Sequence, residues 1–230
     1  MGLGRIIYLG DIVEELKEIY VVKGMGLTSN IYLIHDGLMV DTGNGEPVNR
    51  IAPMLAGIGK SIRDVNKVVL THSHFDHVGG IREMALSADP EIMAHPLEHS
   101  EIKASTHVDF NLRPILEGDQ ISINDYNFRV LHTPGHSIGS ICLYEGEKSI
   151  LISGDTIFPY GGVGRVDLPT GDPDALTASI RRVAKLRVLH LLPGHEGPVL
   201  GDASNHIAYS LKNAEDLRNH LSRFRYTKIL

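Results

Sequence analysis

Seven side chains that can bind a metal ion recur in one setting along this 230-residue chain. Four of them, His72, His74, Asp76 and His77, fall in "THSHFDHVGG" (71–80). The others are His136 after "RVLHTPG", Asp155 after "SILISG" and His195 after "LHLLPG". Imidazole and carboxylate, with no thiolate, suit zinc, iron or manganese. Five His and two Asp are more than one four-coordinate ion can take. Two sets of three donors plus a shared carboxylate match a site for two divalent cations, which can activate water for hydrolysis. His72 and His74 are two apart, so an extended backbone points them to one side. Asp76 and His77 follow once the chain turns and can face a second position. Gly79 and Gly80 lack Cβ atoms and leave room for close approach to metal or substrate. Taken singly, Asp76 could instead cap the helix that follows. His136 or His195 alone could be a hydrogen-bonded turn residue.

Each candidate stands at the C-terminal end of an apolar, strand-like run, where sites gather in α/β folds. The first third reads as short strands, "IYVV" (19–22), "NIYLIH" (30–35) and "GLMVDTG" (37–43). Asp36-Gly37 between the last two is a type I′ hairpin signal. A helix is expected from near Glu46-Pro47 to about Ala56. Asp172 as N-cap and Pro173 at the first position start another, ending near Lys185. Strands followed by strand–helix alternation, twice over, suggest mixed sheets with helices on their outer faces. We read residues 1–230 as one domain of two similar halves, about 1–110 and 111–230, with the last ~30 residues a helical tail.

Composition narrows the function. The chain is 42% hydrophobic and 22% charged, ordinary for a globular protein. A formal charge of −6 argues against general nucleic-acid binding, which needs a basic face. No run approaches 18 apolar residues, so no membrane span is expected. Acids at Asp11, Glu14 and Glu15 stand where a signal peptide needs an apolar run, so the expected location is cytoplasmic. The single cysteine, Cys142 in "SICLY", reads as a small buried hydrophobe. Arg181, Arg182, Lys185 and Arg187 read as a solvated face. Contact with an acidic substrate or a second subunit, hence a homo-oligomer, is the other reading. Of the remaining histidines, His132 and His190 are expected to be buried and hydrogen-bonded. His95 is the one placed to support the ligands.

The ordered motifs resemble the metallo-β-lactamase fold hydrolases. The family pattern His-x-His-x-Asp-His is present as His72, His74, Asp76 and His77. "TPGHSIGS" (133–140), "SGDTIF" (153–158) and "LPGH" ending at His195 match the later single ligands, and "VDTG" (40–43) matches an early strand-ending Asp-x-Gly. The resemblance covers about Ile31 to Gly197. It implies a four-layer αββα sandwich, two mixed β-sheets flanked by helices, with metals at one edge. Carried over, His72, His74 and His136 would hold one metal, and Asp76, His77 and His195 the other. Asp155 would bridge them.

Within the family, "SGDTIFPYGGVGR" with "TPGHSIGS" looks most like the glyoxalase II and persulfide dioxygenase branch. That resemblance implies two divalent metals, zinc first, with iron or manganese as alternatives. It also implies a metal-bridging hydroxide that cleaves a thioester or ester, Asp76 taking or relaying a proton as well as ligating. Arg165 occupies the basic position that would meet an anionic small-molecule substrate, with Tyr160 beside it in the same loop. Asp167 stands where that branch has Tyr, and only residues 198–230 follow the last motif where that branch brings further basic residues, so the match to the glutathione-holding residues is partial, Arg165 alone. The alternatives are a mononuclear-iron persulfide dioxygenase using His72, His136 and Asp155, and a lactonase of the same fold.

Overall fold

The structure, a computed structural model, describes residues 6–108 and 110–227. Among these residues there are two sheets. The first holds β1 (Ile6–Tyr8), β2 (Ile19–Val22), β3 (Ile31–Ile34), β4 (Leu38–Val40), β5 (Lys67–Val69), β6 (Glu91–Ala94) and β7 (Leu112–Pro114), side by side in that order. The second holds β8 (Gln120–Ile123), β9 (Tyr126–His132), β10 (Ile141–Glu145), β11 (Ile150–Gly154), β12 (His190–Pro193) and β13 (Val199–Leu200), also in chain order. Both are mixed. β1 to β4 run antiparallel, and β4 to β7 pair in parallel. In the second sheet β11 and β12 are parallel, and the other pairs are antiparallel. Each half of the chain therefore builds one sheet.

The helices are α1 (Ile51–Ala56), α2 (Phe75–Val78), α3 (Ile81–Ser87), α4 (His99–Thr106), α5 (Pro173–Val183) and α6 (Ala203–Thr227). Strand alternation decides what each side chain meets. In β3, Tyr32 and Ile34 point between the sheets, where they join Phe128, Val130 and Leu143 from the second sheet. Ile31 and Leu33 point outward with Val68 and Ile92, against Met54 and Leu55 of α1, Met84 of α3 and Ile102 of α4. On the far side, Cys142, Leu151 and Leu191 meet Leu176 and Ile180 of α5 and Ile207 of α6. Three apolar layers thus alternate with four layers of secondary structure, the αββα order. Strands covered on both faces carry unbroken apolar runs such as "VVL", as central strands must. Cys142 is fully buried. Among the described residues no helix is long and apolar enough to cross a membrane.

Three local expectations are corrected. The hairpin between β3 and β4 pairs Ile34 with Leu38 and so has a three-residue turn, His35-Asp36-Gly37, rather than a two-residue type I′ turn. Its left-handed residue is His35, at φ 48°. The helix expected from Pro47 to Ala56 is split, because Arg50 is extended (φ −65°, ψ 134°) between a 3₁₀ turn at Pro47–Asn49 and α1. The space left by Gly79 and Gly80 is filled by backbone, not left for a ligand. A Cβ on Gly79 would lie 2.2 Å from the Asn44 carbonyl oxygen, and one on Gly80 2.2 Å from that of Thr42. These glycines let the turn after α2 lie against the loop after β4.

Candidate metal centre

All seven candidate ligands converge at the C-terminal ends of β5, β9, β11 and β12. The chain leaves β5 extended through His72 to His74, then turns into the four-residue α2, which carries Asp76 and His77. The extended stretch turns His72 and His74 toward each other, with Nε2 of one 3.0 Å from Nδ1 of the other. His136 joins them from the loop after β9, and the three ligand atoms lie within 4.8 Å of one another. Asp76, His77 and His195 form a second triad within the same limit. Asp155, one residue beyond β11, stands between the two. Its Oδ1 is 3.2 Å from His77 Nε2, and its Oδ2 is 3.5 Å from both His136 Nε2 and His195 Nε2. Gly194 makes this possible, since a Cβ there would sit 2.2 Å from Asp155 Oδ1.

The donors are fixed from behind. Asp41, the residue after β4, accepts hydrogen bonds from the Thr71 amide and hydroxyl, both 2.8 Å, and its Oδ2 lies 2.8 Å from His77 Nδ1. A carboxylate there makes Nδ1 a protonated nitrogen and fixes the ring so that Nε2 is the atom facing Asp155. The Arg165 carbonyl does the same for His136, 2.9 Å from its Nδ1. Glu98, buried after β6, ties two ligand loops together. It accepts from the Ser73 amide (2.9 Å), the Gly139 amide (2.6 Å) and the Ser137 hydroxyl (2.8 Å). Asp41 shares the strand-end setting that marks the ligands. Glu98 has no such signal, being one acid within "PLEHSEIK".

Electrostatics separates the two triads. Burial holds His72 well below the usual imidazole range, brings His74 down to about 4 and lowers His136. These rings are neutral, the form that binds a cation. In the second triad burial works the other way from the neighbours. It opposes charge on His195, but Asp155 and Asp76 outweigh it and push that ring up to about 9. It opposes charge on His77 too, yet Asp155 and Asp41 raise it well above the usual range. Against the same burial, His77 and His195 keep Asp155 well below the ordinary carboxylate range.

Three buried atoms aimed into this space, His77 Nε2, His136 Nε2 and Asp155 Oδ1, have no hydrogen-bond partner among the described residues. Unpartnered buried donors and acceptors are costly. Divalent cations fit here, because they satisfy these atoms and because the donors are hard-to-borderline nitrogen and oxygen.

The centre opens into a cleft of about 1030 Å³. Arg165 and Tyr160 both line it. The Arg165 guanidinium is engaged by Asp167, at 2.8 Å from Nε and 2.7 Å from Nη2. Tyr160 is left-handed (φ 58°), the residue is 87% exposed, and its amide donates to His206 Nδ1. His95 does lie near the ligand loops, stacked on half-buried His132 with ring centres 4.1 Å apart. His132 Nε2 is 3.0 Å from the Ile138 carbonyl. His190 is buried, but its Nδ1 has no hydrogen-bond partner.

Comparison with known proteins gives three kinds of likeness. A profile described as Metallo-beta-lactamase superfamily matches residues 24–195. A probable metallo-hydrolase of Methanocaldococcus jannaschii is 35% identical over 208 residues, covering 82% of this chain and 95% of that protein. An uncharacterized protein of Aquifex aeolicus is 39% identical over 127 residues, 50% of this chain and 60% of its own length. A hydroxyacylglutathione hydrolase of Idiomarina loihiensis is 32% identical over 149 residues, and the match spans 51% of that enzyme. Among solved structures, TTHA1623 in a di-iron-bound form has a TM-score of 0.67 at 28% identity, covering 84% of this chain and 96% of the other. ETHE1 from Myxococcus xanthus has a TM-score of 0.60 at 23% identity, over 78% of this chain and 76% of its own, a likeness of fold alone.

Proposed function

Because the chain belongs to the metallo-β-lactamase superfamily, we propose that it is a hydrolase of thioesters or esters working at a two-cation centre. The observation that carries this reading is the position of Asp155, with one oxygen 3.2 Å from His77 and the other 3.5 Å from both His136 and His195. His72, His74 and His136 would hold one cation, and Asp76, His77 and His195 the other, with Asp155 shared. Bound there, divalent cations supply Lewis acidity and lower the pKa of water to about 7.

The chain's own residues do the rest. Asp76 Oδ2 lies 3.0 Å from His195 Nε2 and faces the cleft, where it can take a proton from the attacking water. The water oxygen bonds to the acyl carbon, the acyl–sulfur or acyl–oxygen bond breaks, and the proton held at Asp76 passes to the departing thiolate or alkoxide. Asp41 and the Arg165 carbonyl keep His77 and His136 in register while this happens.

Zinc and iron both suit the donor set, and the di-iron-bound form of TTHA1623 supports iron as an occupant. The complete second triad, with His77 held by Asp41, favours two cations over the single iron of a persulfide dioxygenase. Elemental analysis of the purified protein, with a panel of thioesters, esters and lactones and with oxygen uptake on a persulfide, tests the reading. Two metals per chain and hydrolysis are expected. One iron with oxygen uptake would overturn it. Asp155→Ala should lose metal and lower turnover by at least about 100-fold, more than changes behind the ligands cost. If both metal content and activity survived, Asp155 would not be the shared ligand.

A further inference from the structure

The cleft in front of the centre is walled chiefly by apolar groups. It is lined at the metal centre by buried His136 and half-buried Asp76 and Asp155, and by exposed Leu27 and Phe75 with half-buried Phe158 and Leu168. Arg165 is the one lysine or arginine among the described residues that line it. That cation is already paired. Asp167 presents both carboxylate oxygens to Nε and Nη2 of the guanidinium at 2.8 and 2.7 Å, the fork-on-fork geometry a substrate carboxylate would otherwise take. Glu196 adds a further acid to the lining.

We propose that the enzyme takes an uncharged, apolar acyl ester or thioester, and that Asp167 sets this preference by occupying Arg165. The proposal rests on the hydrolase reading and revises the expectation of an anionic substrate. Clefts of about 300–1,000 Å³ hold drug-sized ligands, so this one has room for a medium-length acyl chain. An anionic chain of the same length would have to compete with Asp167 for the guanidinium and would meet Glu196.

The test compares p-nitrophenyl octanoate with the p-nitrophenyl monoester of octanedioic acid, equal in length and different in charge. The metal-loaded wild-type protein should show a KM at least 10-fold lower for the octanoate. Asp167→Asn should lower KM for the anionic ester about 3-fold relative to the neutral one, the size expected for releasing an exposed ion pair. Adding Arg165→Ala should abolish that gain. An equal or lower wild-type KM for the anionic ester would overturn the proposal, as would a ratio that Asp167→Asn leaves unmoved.

If neither ester is cleaved, the thioester and lactone panel decides the hydrolase reading, and binding decides this proposal separately. Calorimetry with 2-octanone and 7-oxooctanoate should then give tighter binding of the ketone to wild type, with the gap narrowing in Asp167→Asn. Equal binding of the two, or a gap indifferent to residue 167, would count against it.

Discussion

Asp41 shows how much of the centre is decided one shell behind the ligands. It is buried, left-handed at φ 59°, and accepts from the Thr71 amide at Oδ1 and from the Thr71 hydroxyl at Oδ2, which also meets His77 Nδ1. Asp41→Asn keeps the size of the side chain but removes the charge that fixes the His77 ring. Changes of this kind cost about 10–100-fold in metal affinity. The larger loss should fall on the second triad, because Asp41 meets His77 directly and reaches His72 only through the Thr71 hydroxyl, 3.1 Å from His72 Nδ1. A metal titration of the variant should therefore resolve one site near its wild-type affinity and one weakened. Equal weakening of both would mean that Asp41 acts through the fold instead. The candidate ligands were legible in the sequence because His72, His136, Asp155 and His195 each follow the end of an apolar run, with His74, Asp76 and His77 clustered just after the first. Asp41 shares that signature in "LMVD", but its task is visible only once β4 and β5 are seen to be neighbours.

At the scale of elements, the central strands could be read and the edges could not. β3, β5 and β11 are buried on both faces and announce themselves as apolar runs. β7 is three residues with a proline, and β13 is two residues. Such segments are held by the neighbour they pair with, and nothing in their own composition reports it. The same holds for the link between loops. Glu98 sits in the first turn of the segment leading to α4 and joins the β5 loop to the β9 loop through three hydrogen bonds. Glu98→Ala would leave buried amides of Ser73 and Gly139 without acceptors. At about 1–3 kcal/mol for each unsatisfied group, partly relieved by water, the expected loss is about 2–4 kcal/mol. Denaturant unfolding measures it. A loss under 1 kcal/mol would show that the two loops hold their geometry without Glu98.

For the whole molecule, a centre built on opposed acids and buried unpartnered nitrogens makes cation binding a contribution to stability. A ligand that binds only the folded state at 100 times its Kd adds about 2.7 kcal/mol. In a chain of this size that is a shift of about 5–10 °C in Tm. Chelation followed by dialysis should lower Tm by that amount, and zinc or ferrous iron should restore it. An unchanged Tm would argue that the seven residues hold no ion.

The two sheets add something to this. The first half supplies His72, His74, Asp76 and His77, and the second supplies His136, Asp155 and His195. Neither triad is complete within one half. A gene cut in the turn between β7 and β8, near Gly118, would thus yield two fragments that each hold an incomplete set of donors. The apolar layer between the sheets would draw them together, and added metal should tighten that reassociation, which a reporter fused to each piece would read directly. The seam between the sheets would then act as a coincidence detector for three components, two peptides and a cation.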